Sequence, residues 1–232
     1  MKNAIMINAY QESAVFSMGW TDMILTYPLP PYSTIIGLVH NLCGWKSYHP
    51  MDISVCGNGV ENSTIMRRWK GGLRGSETEE FKKRFPVRVP DGDKFIGWVG
   101  VMSNINYIAD LSLTLHIAPE SEKDLEDIYQ AFMYPREYPS LGQHGDLLRI
   151  DEVKKVSIGE SLEKITLAKD AYVPVDQAPN SIGTVFRLHK NYEIVRNRRI
   201  FNDVRAFMFP RNRETIALTD NLGNPVFIKI ET

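Results

Sequence analysis

A chain of 232 residues, 43% hydrophobic and 24% charged, carries enough apolar material to bury the core of one large domain, or of one domain with a smaller appendage. Its 27 basic and 28 acidic side chains leave a net charge of −1, which excludes a polycation, so any nucleic-acid contact must come from local clustering of charge. No apolar run approaches the ~18 residues needed to span a bilayer, which excludes a transmembrane helix.

Residues 4–8 read as a first, buried strand. No signal peptide is expected, because Lys2-Asn3 leads into a short apolar stretch ended by Asn8, Gln11 and Glu12. The next stretch, "YPLPPYSTIIGLVHNLCGW" at residues 27–45, predicts a helix. Pro30-Pro31 keep the chain extended up to it, and Ser33 is expected to cap it by accepting from the amide of Ile35 or Ile36. At 100° per residue, Ile35, Ile36, Val39, Leu42 and Cys43 share one arc that faces a core. Thr34, Gly37, His40, Asn41 and Gly44 fall on the other side, where small residues leave room for another backbone to approach or merely ease internal packing. Cys43 and Cys56 form no CxxC pair and have no ligand-spaced histidines; they are expected to be free thiols in a cytoplasmic protein without structural metal or cofactor.

Residues 53–56 predict a second strand and residues 107–117 a third, with a long insertion at about 58–106 between them. The insertion holds the most informative charge pattern. "MRRWKGGLRG" supplies Arg67, Arg68, Lys70 and Arg74, and "FKKRFPVRVP" adds Lys82, Lys83, Arg84 and Arg88, against only Glu77, Glu79 and Glu80. Trp69, Phe81 and Phe85 are interleaved with them. Two basic, aromatic arms around an acidic tip containing Gly71-Gly72 predict a projecting hairpin that neutralises phosphates and stacks on unpaired bases. The plainer reading is a solvated loop with aromatics tucked beneath it.

A second helix begins at the capping box of Ser121 with Asp124, places Leu125, Ile128, Tyr129 and Phe132 on one face, and ends at Pro135. Its acids Glu120, Glu122, Asp124, Glu126 and Asp127 read as a solvated face helped by the helix dipole rather than as a site. Residues 147–156 give a fourth strand. The resulting order of strand, helix, strand, strand, helix, strand is the ferredoxin-like split βαβ. Residues 1–160 thus form an α+β domain carrying the insertion. Residues 161–232 form a small β-rich region, closed by a hairpin of residues 215–218 and 226–230 around the turn at 220–225. A second, broader basic set lies there: Arg187, Lys190, Arg196, Arg198, Arg199, Arg205, Arg211 and Arg213, diluted by Glu193 and Asp203. It suits protein or RNA contact equally well.

The histidines are His40, His49, His116, His144 and His189. A metal-independent ribonuclease needs a general base and a general acid around a 2′-hydroxyl and the scissile phosphate. His189-Lys190 with Tyr192 offers such groups, and so does His144, although each is also a common surface residue. No HExxH, P-loop or GxSxG motif is present.

"YPLPPYSTIIGLVHNLCGW", taken with "YPSLGQHGDLLRI" at residues 138–150, resembles the Cas five family, the CRISPR-associated subunit of type I Cascade complexes within the RAMP superfamily. The likeness covers most of the chain, through a Pro-Pro-x-Ser-Thr-x-x-Gly helix start, the insertion and a Leu-Gly-x-x-x-Asp-Leu-Leu segment, and the type I-B branch is the most similar. The resemblance implies an RNA-recognition-like ferredoxin core whose insertion is a β-hairpin thumb. It implies binding of the 5′ handle of the crRNA, packing against the Cas seven backbone and a large, Cas eight-type subunit, and a role in antiviral defence or RNA-guided DNA targeting, with target DNA met through the complex and no membrane contact. The RNA-binding residues it implies are Tyr32, Ser33, Thr34 and Gly37 at the helix start, Arg67, Arg68, Trp69, Lys70, Arg74, Lys82, Lys83 and Arg84 in the thumb, and Gly142, Gln143, His144 and Arg149 in the later segment. The type I-C branch is itself an endoribonuclease with a tyrosine and an adjacent lysine and histidine in mid-chain. The only adjacent pair here, His189-Lys190, lies late in the chain and in the opposite order. A non-catalytic subunit is therefore expected, with processing left to a Cas six nuclease; the alternative is a metal-independent endoribonuclease that processes precursor crRNA.

Overall fold

The first strand, β1 (Lys2–Ala14), buries four consecutive residues, Ala4 to Ile7, because both of its faces are covered. Ile5, Ile7 and Ala9 point into the main core, while Ala4 and Met6 join a second cluster with Val156, Ile158 and Leu218. A computed structural model describes residues 1–19, 23–196 and 198–228, and of residues 68–70 only the backbone. After β1 come β2 (Met23–Ile24), α1 (Tyr32–Cys43), β3 (Met51–Gly75), α2 (Glu79–Arg84), β4 (Val87–Asp91), β5 (Lys94–Pro119), α3 (Glu122–Met133) and β6 (Arg149–Ile158). The C-terminal third adds β7 (Glu163–Thr166), β8 (Asp170–Pro174), a 3₁₀ turn at Val175–Gln177, β9 (Val185–Val195), β10 (Arg198–Phe209), β11 (Glu214–Thr219) and β12 (Pro225–Val226). The fold is mixed, with few helices and one large, mostly antiparallel sheet.

That sheet runs β6-β1-β5-β3-β8-β10-β9, with β2 and β4 also paired to β5, and a three-stranded sheet β12-β11-β7 lies apart from it. The chain divides into two compact units: one comprises Met1–Phe16, Thr26–Glu61 and Tyr107–Thr232, the other Ser17–Leu25 and Asn62–Asn106. Strands β3 and β5 contribute to both. In the larger unit α1 and α3 pack together over the sheet, burying Ile35, Val39, Leu42, Ile128 and Phe132 among Ile7, Leu113 and Leu115. On a third cluster, Leu167, Ala217 and Phe227 cover Cys56, Val173, Phe207 and Phe209. Residues beyond 161 do not fold as a separate appendage, since β8, β10 and β9 continue the main sheet through β3. The expected terminal hairpin forms, with Leu218 opposite Val226; residues 229–232, its expected end, lie outside the described residues.

The start of α1 differs from expectation. Pro31, extended at φ −61° and ψ 153°, is the N-cap, and no side chain caps the helix. Ser33 sits two residues past the cap position, inside the first turn, so its hydroxyl cannot cap. The Pro31 carbonyl takes the amides of Thr34 at 3.0 Å and Ile35 at 3.3 Å. At the other end Gly44 adopts φ +70°, and the amides of Gly44 and Trp45 donate to the carbonyls of Asn41 and His40. Gly44 therefore ends the helix rather than making room for a neighbour. The cap of α3 is as expected: the Ser121 hydroxyl accepts from the Asp124 amide. Asp124 itself is 9% exposed and paired with His49 Nδ1 at 3.0 Å, so it is not part of a solvated face.

The smaller unit also departs from the expected pair of arms. Gly71-Gly72 lies within β3 rather than at a tip, and the second basic stretch folds as α2 and β4 instead of a returning strand. The returning strand is β5, and β4 pairs with it from Val87↔Trp98 to Asp91↔Lys94. Glycines seat aromatic rings here: a Cβ on Gly71 would fall 2.2 Å from the Trp98 ring, on Gly75 2.5 Å from Phe81, and on Gly97 2.3 Å from Phe85. Phe81 and Phe85 are thus used in packing, with Phe85 5% exposed, and neither is a free surface for a base.

Candidate nucleic-acid interface

In the larger unit, buried polar contacts hold the loop at residues 138–150. Strand β1 ends beside the loop between α3 and β6. Gln11, fully buried on β1, donates its Nε2 to the carbonyls of Leu141 at 2.9 Å and Asp146 at 3.0 Å. Asp146 Oδ2 in turn accepts from the amides of Val15 at 2.9 Å and Gln143 at 3.0 Å. Gly142 stands at φ +109°, and a Cβ there would meet Asp146 Oδ2 at 2.9 Å and the Val15 carbonyl at 3.1 Å. Leu141 and Leu148 are buried. The Leu-Gly-x-x-x-Asp-Leu-Leu pattern is therefore a loop-building device: Gly142 supplies backbone geometry, and the loop presents the exposed Gln143 and His144.

Arg149, at the start of β6, lies with its guanidinium 4.6 Å from the Tyr10 ring centre and its Nε 2.6 Å from Asp151 Oδ1. Its side chain is still 67% exposed. An anion can reach it without displacing the stack.

At the start of α1 the assigned residues separate. Gly37 is exposed, and nothing lies within 4 Å of where its Cβ would be, so its bare side opens outward and serves no internal packing. Ser33 and Thr34 are half-buried. Tyr32 is not available to RNA at the surface: it is 3% exposed, edge-on to Tyr172 with ring centres 6.3 Å apart. It belongs to the core because its ring continues the buried stripe of α1. Burial pushes its hydroxyl well above the ordinary phenol range, with lesser pushes from Cys56, Asp176 and Asp52. Tyr32 lines a cavity of about 610 Å³ together with Asp52, Pro174 and Arg205, and its hydroxyl has no hydrogen-bond partner among the described residues. Asp52 receives Lys2 Nζ and Lys190 Nζ, both at 2.7 Å. Burial opposes its charge, yet these two ammonium groups hold its carboxyl below the usual range.

In the smaller unit, several basic residues are already engaged. Arg74 reaches Asp91 Oδ2 at 2.6 Å and Asp93 at 3.6 Å, and Lys82 pairs with Glu79 at 3.0 Å. Arg88 donates to the carbonyls of Phe85 at 2.7 Å and Lys82 at 3.2 Å, so it pins α2 onto β4. Lys83 and Arg84 are exposed on α2, with the Arg84 guanidinium 5.3 Å from the Phe85 ring centre. Arg67 is exposed on β3, beside Gly100. The side chains of Arg68, Trp69 and Lys70 lie outside the described residues. Among the described residues the unit thus offers Arg67, Lys83 and Arg84 as exposed cations outside those pairs, along with apolar side chains in the open: Ile65 is 66% and Met102 67% exposed.

The two adjacent residues weighed for catalysis are each held by a carboxylate. Lys190 is drawn to Asp52, whereas His189 pairs through Nδ1 with Asp203 and stacks on Phe201 at 4.2 Å. His116 is fully buried against Asp220 at 3.0 Å. Burial raises the Cys43 and Cys56 thiols to about 12, which makes both poor nucleophiles. No cluster of metal-ligating side chains occurs among the described residues.

Gln11 and Asp146, which build the loop, escaped the sequence reading. The one signal was a polar residue at a buried position of a strand, and its partners lie 130 and 135 residues away.

No family model and no curated protein matches the chain. The fold does match solved structures. A chain of a "CRISPR RNA-guided surveillance complex" aligns with TM-score 0.56 at 14% identity, over 92% of this chain and 91% of that one. A "CRISPR protein from Archaeoglobus fulgidus" aligns with TM-score 0.43 at 10% identity, over 99% of this chain and all of that one. The chain therefore shares its fold, nearly end to end, with a component of an RNA-guided CRISPR complex.

Proposed function

We propose that this chain is a Cas five-like, non-catalytic subunit of a type I CRISPR effector complex. It binds the 5′ handle of the crRNA and joins a Cas seven backbone to a large, Cas eight-type subunit, in a cytoplasmic complex that reaches target DNA. The observation that carries this reading is the near full-length fold match to a chain of an RNA-guided surveillance complex. The strand order β6-β1-β5-β3, with α1 and α3 on one face, supports a ferredoxin-like core of the RAMP type. In this reading the smaller unit is the thumb. Its exposed cations suit RNA phosphates, and its exposed Ile65 and Met102 suit a neighbouring subunit. Gln143, His144 and Arg149 form the second contact, on the loop that Gln11 and Asp146 hold. The type I-B assignment rests on the sequence resemblance.

A non-catalytic role is supported by the ion pairs that engage both residues, His189 with Asp203 and Lys190 with Asp52. The test is to incubate the purified chain with the repeat RNA of its own CRISPR array, with and without EDTA. Binding without a discrete product is expected. Discrete cleavage that survives EDTA and disappears in His189→Ala would replace this reading with the endoribonuclease.

A further inference from the structure

Strands β9 and β10 pair in a long hairpin at the edge of the main sheet, and their distal halves are exposed on both faces. The register slips between Asn202 and Asp203: Asp203 faces His189, but Asn202 faces Asn191. One additional residue, Lys190, is thereby taken up by β9 as a bulge. The bulge reverses the side of every β9 residue after it. Tyr192 is turned onto the face that already carries His189, opposite Phe201 in register.

The result is a continuous ladder on that face. The His189 ring lies on Phe201 at 4.2 Å and 20°, Phe201 meets Tyr192 edge-on at 5.8 Å, and the Arg199 guanidinium lies 4.6 Å from the centre of the Tyr192 ring. Phe201 is 39% and Tyr192 44% exposed, which is a large open area for aromatic side chains. At the inner end Arg205 stands directly opposite Arg187. Like charges across a ladder repel unless an anion intervenes. Arg187 turns to Asp203, whereas Arg205 has no ion-pair partner among the described residues. Asp203 is the one acid on this face of the two strands and is taken up by Arg187 and His189, while Glu193 falls on the opposite side, facing Ile200.

Open π-faces flanked by Arg199 and Arg205, with Asp203, the acid of the two strands on that face, already engaged, match a chain of bases joined by phosphates. We propose that this face of the β9–β10 hairpin is a second, sequence-tolerant binding site for single-stranded nucleic acid. Bases stack on the Tyr192–Phe201–His189 ladder and phosphates meet Arg199 and Arg205. The site is independent of the handle-binding reading, because none of its residues belongs to the smaller unit or to the loop at residues 138–150.

The test uses the purified full chain with two homopolymers that contain no repeat sequence, U12 and dT12, followed by fluorescence anisotropy across a salt series. Tyr192→Ala with Phe201→Ala should weaken binding roughly tenfold or more and leave the salt slope nearly unchanged. Arg199→Ala with Arg205→Ala should flatten the log–log slope by about 0.7 for each phosphate that is no longer neutralised. Tyr192→Phe should bind as the wild type does, which separates stacking from loss of fold. In the wild-type chain, 5-iodouridine placed in U12 should crosslink to the peptide carrying Tyr192 and Phe201. Comparable binding of U12 and dT12 assigns recognition to base and phosphate alone, and a preference adds recognition of the sugar. No homopolymer binding, wild-type binding by the aromatic double variant, or crosslinks confined to other segments would overturn the proposal.

Discussion

Asp220 shows how much a single buried residue organises. Both it and His116 have fully buried side chains; His116 Nε2 stands 3.0 Å from its Oδ2, the Asn224 side chain donates at 2.9 Å, and the amides of Leu222 and Asn224 donate to its other oxygen. It thus closes the β11–β12 turn and ties that turn to β5. Burial would raise its carboxyl, but these donors bring it down to about 2. A carboxyl lowered on folding stabilises the protein above its unfolded value near 4, and that contribution is lost as pH falls through its folded value. Urea unfolding should therefore show roughly 2–3 kcal/mol of stability lost between about pH 4 and pH 2 through this group. Asp220→Asn should be less stable at pH 7 and show a shallower fall over that window. An identical pH profile in the variant would mean that other carboxylates carry the acid sensitivity.

At the scale of elements, the smaller unit depends on rings seated on glycine backbones. Gly97 lies under Phe85, which anchors the end of α2, and Gly71 lies under Trp98. A methyl at Gly97 would sit 2.3 Å from Phe85 Cγ, so ring or backbone must shift. Overpacking of this kind costs about 1–3 kcal/mol. Gly97→Ala should raise hydrogen exchange for amides of α2, β4 and residues 94–104 while the amides of β1 and β6 remain protected. Uniform loss of protection through the chain would show that the two units unfold as one.

For the whole molecule, the three buried apolar clusters among the described residues all belong to the larger unit. Replacing residues 62–106 by an Asn-Gly turn should therefore leave a protein that melts cooperatively, measured by circular dichroism. It should bind repeat RNA more weakly, because Arg67, Lys83 and Arg84 go with the deletion, while the β9–β10 site keeps its affinity for U12. Loss of cooperative melting would place essential packing in the smaller unit. Unchanged repeat-RNA affinity would remove that unit from the handle contact.

The sequence by itself determined what depends on near neighbours. The core stripe of α1, the Ser121 cap of α3 and the turn before β12 all follow from spacing over a few residues, and they stand where the pattern puts them. The concentration of positive charge at residues 67–88 is equally a property of the chain. Tertiary structure decided which groups stay free to act. Tyr32 is buried because Tyr172, far along the chain, packs on it; Arg74 is occupied by Asp91; Phe81 and Phe85 close over glycines; and Gln11 finds its partners in a loop near residue 141. The ladder of His189, Phe201 and Tyr192 depends on a single-residue slip in strand register. Hydrophobic period and charge are local quantities that a sequence displays directly. Register, close approach and the choice among competing ion-pair partners depend on residues distant in the chain, and only the folded packing fixes them.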